Sequence, residues 1–127
     1  YQNTAKVHFN QHVQKEGRFR RRLIYGGHII SLARALSFNG LANAFHIAAI
    51  NGGRHVAPLF AGLTVHAWSE VLETAEIPGR DDVGALRLRT IATKDHPCTH
   101  LPYLQENGKD YDPSVILDLD YWALVPR

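Results

Sequence analysis

The sequence predicts an α+β fold in which an antiparallel sheet wraps one long, buried central helix. A helix over about residues 28–37 is apolar on almost every side, so other structure has to enclose it. Four or five strand-like stretches follow it, and turn residues rather than crossover helices separate them. The 127 residues suffice for a single domain with a real core.

A pair of glycines, Gly26 and Gly27, opens the predicted helix, and Asn39-Gly40 is expected to close it in a left-handed conformation. Glycines let a ligand approach the backbone without meeting a Cβ atom. The first turn of a helix has unpaired N–H groups and the positive end of the dipole, so it can hold an anion or a developing oxyanion. A tight turn before a core helix explains the same residues equally well.

Residues 1–13 are predicted to form a short helix or a loop that carries His8 and His12, and residues 15–22 form a charged connector. Alternating or apolar patterns and turn residues define the strands. The predicted strands are 45–50, closed by Asn51-Gly52-Gly53; 55–60, an edge or bulged strand because of Pro58; 63–73; 85–94; and 114–125. Residues 77–82 are predicted to be a turn and residues 95–113 a long loop or weak hairpin.

Composition excludes several classes of protein. Hydrophobic residues make up 45% and charged residues 20%, which is typical of a globular domain. The net charge is only +2, without a basic stripe interleaved with aromatic residues, so nucleic acid is not an expected partner. No apolar run reaches the roughly 18 residues of a membrane span. The single cysteine, Cys98, excludes an internal disulfide framework and favours a cytoplasmic location.

The chain opens on Tyr1 without a signal peptide or a starting Met, so we interpret it as part of a longer protein.

Asn3 and His8 lie upstream of the glycine pair, five residues apart. If this segment folds over the start of the helix, an amide and an imidazole face the same carbonyl-binding spot. A neutral histidine is the usual general base near neutral pH. The sequence therefore nominates His8 as a base, although most histidines in proteins have structural or surface roles.

Two histidine spacings suggest a metal site, and neither is persuasive. His8 and His12 have the i, i+4 spacing of a helical site, but the glutamate of a zinc protease is missing. His96, Cys98 and His100 are too close in sequence for a usual structural zinc site, and a loop thiol is the preferred interpretation. The sequence also has no Gly-x-Ser-x-Gly elbow and no phosphate-binding glycine loop with its lysine. We expect no metal.

A basic cluster precedes the glycine pair, consisting of Arg18, Arg20, Arg21 and Arg22. A solvated connector is the simpler interpretation of this cluster. The alternative is a seat for the phosphates of a bulky acyl carrier, because arginine pairs with phosphate in a bidentate way.

Five segments together resemble the MaoC-like hot-dog hydratases, in the subfamily that acts on mesaconyl-CoA. They are residues 1–10, 25–34, 36–44, 67–72 and 118–122. The resemblance covers essentially the whole chain. Members of this subfamily carry two hot-dog repeats, and the resemblance implies that residues 1–127 are a single hot-dog domain. That domain would be the C-terminal repeat of a longer chain, without its first strand.

The resemblance implies reversible hydration of mesaconyl-CoA to β-methylmalyl-CoA. His8 falls on the histidine of the family pattern Asp-x-Asn-Pro-x-His, and Asn3 stands where the aspartate is expected. An amide can orient water but cannot take its proton. Ala5 and Lys6 replace the Asn-Pro of the pattern, and the family's Gly-Asp-Thr reads Gly-Leu-Thr at residues 62–64.

In this interpretation His8 activates water, Asn3 orients it, and the amides of Gly26 and Gly27 polarise the thioester carbonyl. The expected substrate and coenzyme A contacts are Tyr25, His28, Arg21, Arg22 and Arg54. No cofactor beyond the coenzyme A thioester of the substrate is expected. The expected protein partners are the other hot-dog repeat and further copies in a homo-oligomer. A hot-dog thioesterase and a non-catalytic assembly half are the alternatives.

Overall fold

A computed structural model of the chain describes residues 3–97, 99–100, 108 and 110–127. In this part of the chain, the strands form one antiparallel sheet in the order β1-β4-β3-β2. The strands are β1 (His46–His55), β2 (Val65–Glu76), β3 (Val83–Lys94) and β4 (Val115–Pro126). The helices are α1 (Lys6–Phe9), α2 (Gln11–Gln14), α3 (Gly26–Leu36) and α4 (Phe38–Leu41).

The two central strands, β3 and β4, alternate between an apolar face and a charged face, as strand geometry requires. Leu88 and Ala92 of β3 and Leu119 and Tyr121 of β4 are buried and belong to the core. Helix α3 packs on β2 and β3, and its buried side chains join the same core cluster. The alternation in the sequence therefore correctly predicts which face of the sheet meets the helix.

Ion pairs cross-link the strands on the opposite face of the sheet. Asp118 accepts two hydrogen bonds from the Arg89 guanidinium, at 3.0 and 2.8 Å, and a third from the Tyr111 hydroxyl at 2.7 Å. Arg87 donates to Asp120 at 3.0 and 2.7 Å, and these bonds hold the pKa of Asp120 below its usual range. Burial, followed by the hydrogen bond to Asp118, raises the pKa of Tyr111. The ion pairs link β3 to β4, and the hydrogen bond from Tyr111 to Asp118 holds residue 111 against the sheet.

Strand β1 is longer than the sequence predicts. Asn51, Gly52 and Gly53 do not close it, because the strand runs on to His55 with register shifts at Ile47/Ala49 and Ile50/Gly52. A bulge absorbs extra residues without ending a strand, and glycine favours it. The glycines therefore mark an irregular strand rather than a turn.

Residues 56–60 are not a strand, so that prediction is wrong. Pro58 has no N–H to donate, and the segment makes only isolated backbone bonds. The Val56 amide donates to the Ile116 carbonyl at 2.9 Å, and the Ile24 amide donates to the Leu59 carbonyl at 2.9 Å. This irregular segment forms a wall of the cavity described below.

The helix also departs from the prediction at its end and in its burial. Residues 39 and 40 lie within α4, where the Gly40 amide donates to the Ser37 carbonyl at 3.3 Å, so they form no left-handed ending. Ile29 and Ala33 of α3 are buried, whereas 44% of Leu36 is exposed. Enclosure of the helix on every side is therefore not seen in this chain, because the sheet covers one side of α3.

The remaining predictions of secondary structure hold closely. Strands β2, β3 and β4 match the predicted stretches within a few residues. The turn between β2 and β3 holds Gly79 at a φ of 76°, with the Arg80 amide donating to the Ile77 carbonyl at 3.0 Å. Much of the predicted loop over 95–113, including Cys98, lies outside the described residues. None of the described helices is long and apolar enough to cross a membrane.

Candidate active site

His8 lies on the short helix α1, and a single backbone contact fixes its imidazole. Its Nδ1 atom is 3.0 Å from the Leu23 carbonyl oxygen. Because a carbonyl oxygen only accepts, Nδ1 carries the proton in the neutral ring, and Nε2 is the acceptor. The ring also meets the edge of the Tyr25 ring, with centroids 5.5 Å apart. In this tautomer, Nε2 of His8 is the nitrogen that could accept a proton as a general base.

Two backbone bonds bring α1 to the start of α3. The Leu23 amide donates to the Val7 carbonyl at 3.0 Å, and the neighbouring Ile24 amide donates to Leu59. Residues 23 and 24 thus join α1 to the irregular segment 56–60, directly before Gly26. The sequence prediction that the first segment folds over the start of the helix is consistent with this arrangement.

A cavity of about 350 Å³ lies between these elements. Its lining includes two histidines, His8 and His55, and Gly26 at the start of α3. The rest of the wall is apolar and consists of Leu23, Ile24, Ile29, Val56, Ala57, Pro58 and Leu59. An apolar cleft with a few convergent polar groups is typical of a small-molecule site.

A second, smaller cavity of about 200 Å³ shares His8 and Ile24 with the first. Asn3, Phe9, Tyr25 and His28 complete its lining. The structure therefore brings together four residues that the sequence nominates, namely Asn3, His8, Tyr25 and His28. Their roles in chemistry or binding stay predictions.

The Asn3 side chain has a local bond that the sequence did not reveal. Its Oδ1 atom accepts a hydrogen bond from the Ala5 amide at 2.9 Å, which shapes the turn into α1. Asn3 thus supports the helix that carries His8, besides lining the smaller cavity.

The two glycines begin α3, and rings of the protein lie against both. The His28 amide donates to the Tyr25 carbonyl at 3.0 Å, and Gly26 and Gly27 supply the earlier amides of the first turn. A Cβ atom on Gly26 would lie 2.7 Å from His55 Nε2. A Cβ atom on Gly27 would lie 2.5 Å from Cε1 of Tyr25. Both positions therefore require glycine in this arrangement.

The three nominated arginines line neither cavity. The Arg21 guanidinium lies 3.8 Å from the centroid of the Phe60 ring, and the Arg22 amide donates to Gln11 at 3.1 Å. The Arg54 guanidinium lies 5.7 Å from the centroid of the Tyr111 ring. Their predicted contact with coenzyme A stays a prediction.

His55 is the site residue that sequence reasoning missed. It ends β1, and its ring reaches Gly26 across the cavity wall. Nothing in its sequence neighbourhood separates it from the other seven histidines of the chain. Its significance depends on a contact between residues 29 positions apart.

The helical metal site fails on geometry. An i, i+4 pair needs one continuous helix, but Asn10 interrupts the helix between His8 and His12 with φ −100° and ψ 90°. Among the described residues, no group of three His, Cys, Asp or Glu side chains is placed to hold a metal ion.

Comparisons with solved structures identify the fold as a hot-dog domain. A putative MaoC domain protein dehydratase from Chloroflexus aurantiacus superposes with a TM-score of 0.93 at 67% identity, over 100% of this chain and 36% of that one. A Mycobacterium tuberculosis protein with a double hot-dog fold superposes with a TM-score of 0.63 at 24% identity, over 98% of this chain and 32% of that one. No family model matches the sequence.

Two relatives with enzyme names are similar to the chain along its whole length. It is 67% identical over 127 residues to beta-methylmalyl-CoA dehydratase of Chloroflexus aurantiacus, and it covers 36% of that protein. It is 61% identical over 129 residues to mesaconyl-CoA hydratase of Cereibacter sphaeroides, and it covers 35% of that protein. The resemblance inferred from the sequence is thus confirmed, and the chain spans about a third of the length of these relatives.

Proposed function

We propose that this chain is the catalytic hot-dog repeat of a hydro-lyase that reversibly hydrates mesaconyl-CoA to β-methylmalyl-CoA. The observation that carries the proposal is the 3.0 Å contact between His8 Nδ1 and the Leu23 carbonyl oxygen, which leaves Nε2 as the acceptor of the neutral ring. His8 lines an apolar cavity together with Gly26, the first residue of α3. The names of the two similar enzymes support the reaction and the substrate.

The proposed mechanism uses the start of α3 to stabilise charge. The thioester carbonyl sits at the amides of Gly26 and Gly27, where preorganised donors stabilise the enolate that forms in the transition state. His8 Nε2 takes a proton from water, and the oxygen of that water bonds to the β-carbon. The electron pair of the C=C bond moves towards the carbonyl, and a proton then joins the α-carbon. The thioester itself is the electron sink, so we propose no metal or redox cofactor.

We further propose that the chain is the C-terminal repeat of a double hot-dog protein, and that the whole protein forms a homo-oligomer in the cytoplasm. Strand β1 lies at an edge of the sheet and is exposed along its length. Phe38 and Phe45, whose side chains are 65% and 60% exposed, line a surface groove beside it. An exposed edge and an apolar groove favour a covering partner.

The test is the reaction of the full-length double-repeat protein with mesaconyl-CoA. We expect loss of the enoyl absorbance without release of coenzyme A thiol, and formation of β-methylmalyl-CoA in the product analysis. Release of free thiol without hydration would instead support a hot-dog thioesterase, in which water attacks the carbonyl carbon. Crotonyl-CoA, which lacks the distal carboxylate, serves as the comparison substrate.

Substitutions at Asn3 test whether it positions the water. Asn3→Asp is expected to keep activity at neutral pH and above, because a carboxylate preserves the bond to Ala5 and can orient water. That negative charge favours the protonated imidazole of His8, which is inactive as a base, so activity is lost earlier on acidification. A leucine side chain can neither accept the hydrogen bond from Ala5 nor orient water, so Asn3→Leu is expected to lose most activity at every pH.

The measurement is kcat/KM against pH for the parent and both variants, with circular dichroism to check folding. An active Leu variant with an unchanged profile would remove Asn3 from the site.

A further inference from the structure

We propose that His55 is the second proton-transfer group of the cavity and delivers the proton to the α-carbon during hydration. This inference rests on the proposed hydratase function and assigns a step that His8 alone leaves open. It begins from the space beside Gly26, which the His55 imidazole occupies.

The His55 ring lies beside the start of α3, where the proposed mechanism places the thioester carbonyl. Its Nε2, Cε1 and Cδ2 atoms would lie 2.7, 2.9 and 3.3 Å from a Cβ atom on Gly26, so the ring lies directly against the first residue of α3. His55 and His8 line the same cavity. A carbonyl held at the start of α3 therefore brings the adjacent α-carbon close to the His55 ring.

The composition of the cavity wall leaves little choice of proton donor. Of the described residues that line the larger cavity, His8 and His55 alone have side chains that can gain or lose a proton near neutral pH. Asn3 stands where the resemblance leads one to expect an aspartate, and an amide transfers no proton. A second histidine supplies the missing acid.

The step balances as follows. Neutral His8 takes one proton from water, and the resulting hydroxyl group adds to the β-carbon. Imidazolium His55 gives its proton to the α-carbon of the enolate and becomes neutral. His8 then releases a proton to solvent, and the exposed His55 takes one up, which restores both groups. Dehydration runs through the same transfers in reverse.

His8 on α1 is the titratable group that lines the cavity together with His55, among the described residues. Tyr25 and His28 at the start of α3 line the smaller cavity that also contains His8. Arg54, next to His55 on β1, points to the other face of the sheet, where Asp118 of β4 is its register partner and the Tyr111 ring lies beneath its guanidinium. In hydration His55 has to be protonated and His8 neutral. Loss of activity at high pH is therefore assigned to His55, and loss at low pH to His8.

The test is His55→Gln in the full-length protein, with His12→Gln as the matched control. His12 is an exposed histidine on α2 that lines neither the two cavities nor the surface groove. We expect kcat/KM for hydration to fall about 10²-fold with both mesaconyl-CoA and crotonyl-CoA. We also expect the loss at high pH to disappear from the profile while the loss at low pH remains. The control is expected to match the parent.

His55→Ala provides an independent variant, because its small side chain leaves room for added imidazole beside Gly26. Imidazole is expected to restore part of the rate. With substituted imidazoles, the restored rate is expected to depend on the pKa of the added compound. Recovery would also show that the variant is folded, and circular dichroism supplies the same check for both variants.

Three results would overturn the proposal. They are an unchanged rate in a folded His55→Gln protein, a loss confined to mesaconyl-CoA, and a folded His55→Ala protein that imidazole cannot restore. The second result would mean that His55 binds the distal carboxylate. A parent that hydrates neither substrate would instead refute the proposed function itself.

Discussion

Replacing His8 by alanine is expected to lower kcat/KM for mesaconyl-CoA hydration by about 10²–10⁴-fold, with little effect on folding. The variant removes the Nε2 acceptor from the cavity, so water has to attack without a base. It also removes one bond to the Leu23 carbonyl, but the Leu23 amide still donates to Val7 and holds α1 in place. The loss should therefore fall on turnover rather than on stability.

His12→Ala is the matched control for this prediction, because His12 is an exposed histidine on the next short helix and lines neither cavity. The measurements are steady-state hydration kinetics and thermal unfolding of both variants. If His8→Ala stays within a few-fold of the parent, His8 is not the base. That outcome would favour the alternative of a non-catalytic assembly half, in which no cavity residue of this chain affects turnover.

The sheet could be predicted from the sequence wherever the pattern is local. In β3 and β4, alternation separates apolar core residues such as Leu88 and Tyr121 from paired charges such as Arg89 and Asp118. The turn between β2 and β3 has its own signal in Pro78-Gly79. These features depend on neighbours in sequence, so they can be predicted from the sequence alone.

The errors arise where distant residues decide the local structure. Gly52 and Gly53 look like a turn in isolation, but pairing with Asp120 and Leu119 on β4 keeps them in a strand. Pro58 looks like part of an edge strand. The neighbouring residues make only isolated backbone hydrogen bonds, from Ile24 just before α3 to Leu59 and from Val56 to Ile116 on β4, so the segment is irregular. Tertiary hydrogen bonds outweigh the propensity of single residues in both places.

The candidate site divides in the same way. Part of its lining comes from residues 3–28, and among these sequence reasoning nominated Asn3, His8, Tyr25, Gly26 and His28. His55 enters the cavity only because β1 ends beside the start of α3, and a single histidine has no signal of that contact. For the arginines, charge alone suggested a phosphate seat. Arg21 lies over an aromatic ring outside both cavities, and the contact of the arginines with coenzyme A stays a prediction.

Gly27→Val is expected to abolish turnover, because a branched side chain would stand where the thioester has to approach the first amides of α3. Even a single Cβ atom here lies 2.5 Å from Cε1 of Tyr25, so the ring would have to move, and that ring contacts His8. Gly40→Val is the matched control, since nothing lies within 4 Å of a Cβ atom at Gly40. We expect the control to remain active.

A double-mutant cycle separates the two causes of that loss. Tyr25→Ala removes the ring that the new Cβ atom would displace. If displacement of Tyr25 is the whole effect, Gly27→Ala costs nothing further in the Tyr25→Ala background. If the amide has to meet the substrate, Gly27→Ala still lowers kcat/KM there, with kcat falling more than KM rises, because oxyanion stabilisation acts in the transition state. A structure with bound acyl-CoA gives the direct test. A carbonyl oxygen beyond about 3.2 Å from both glycine amides would show that the start of α3 is not the oxyanion site.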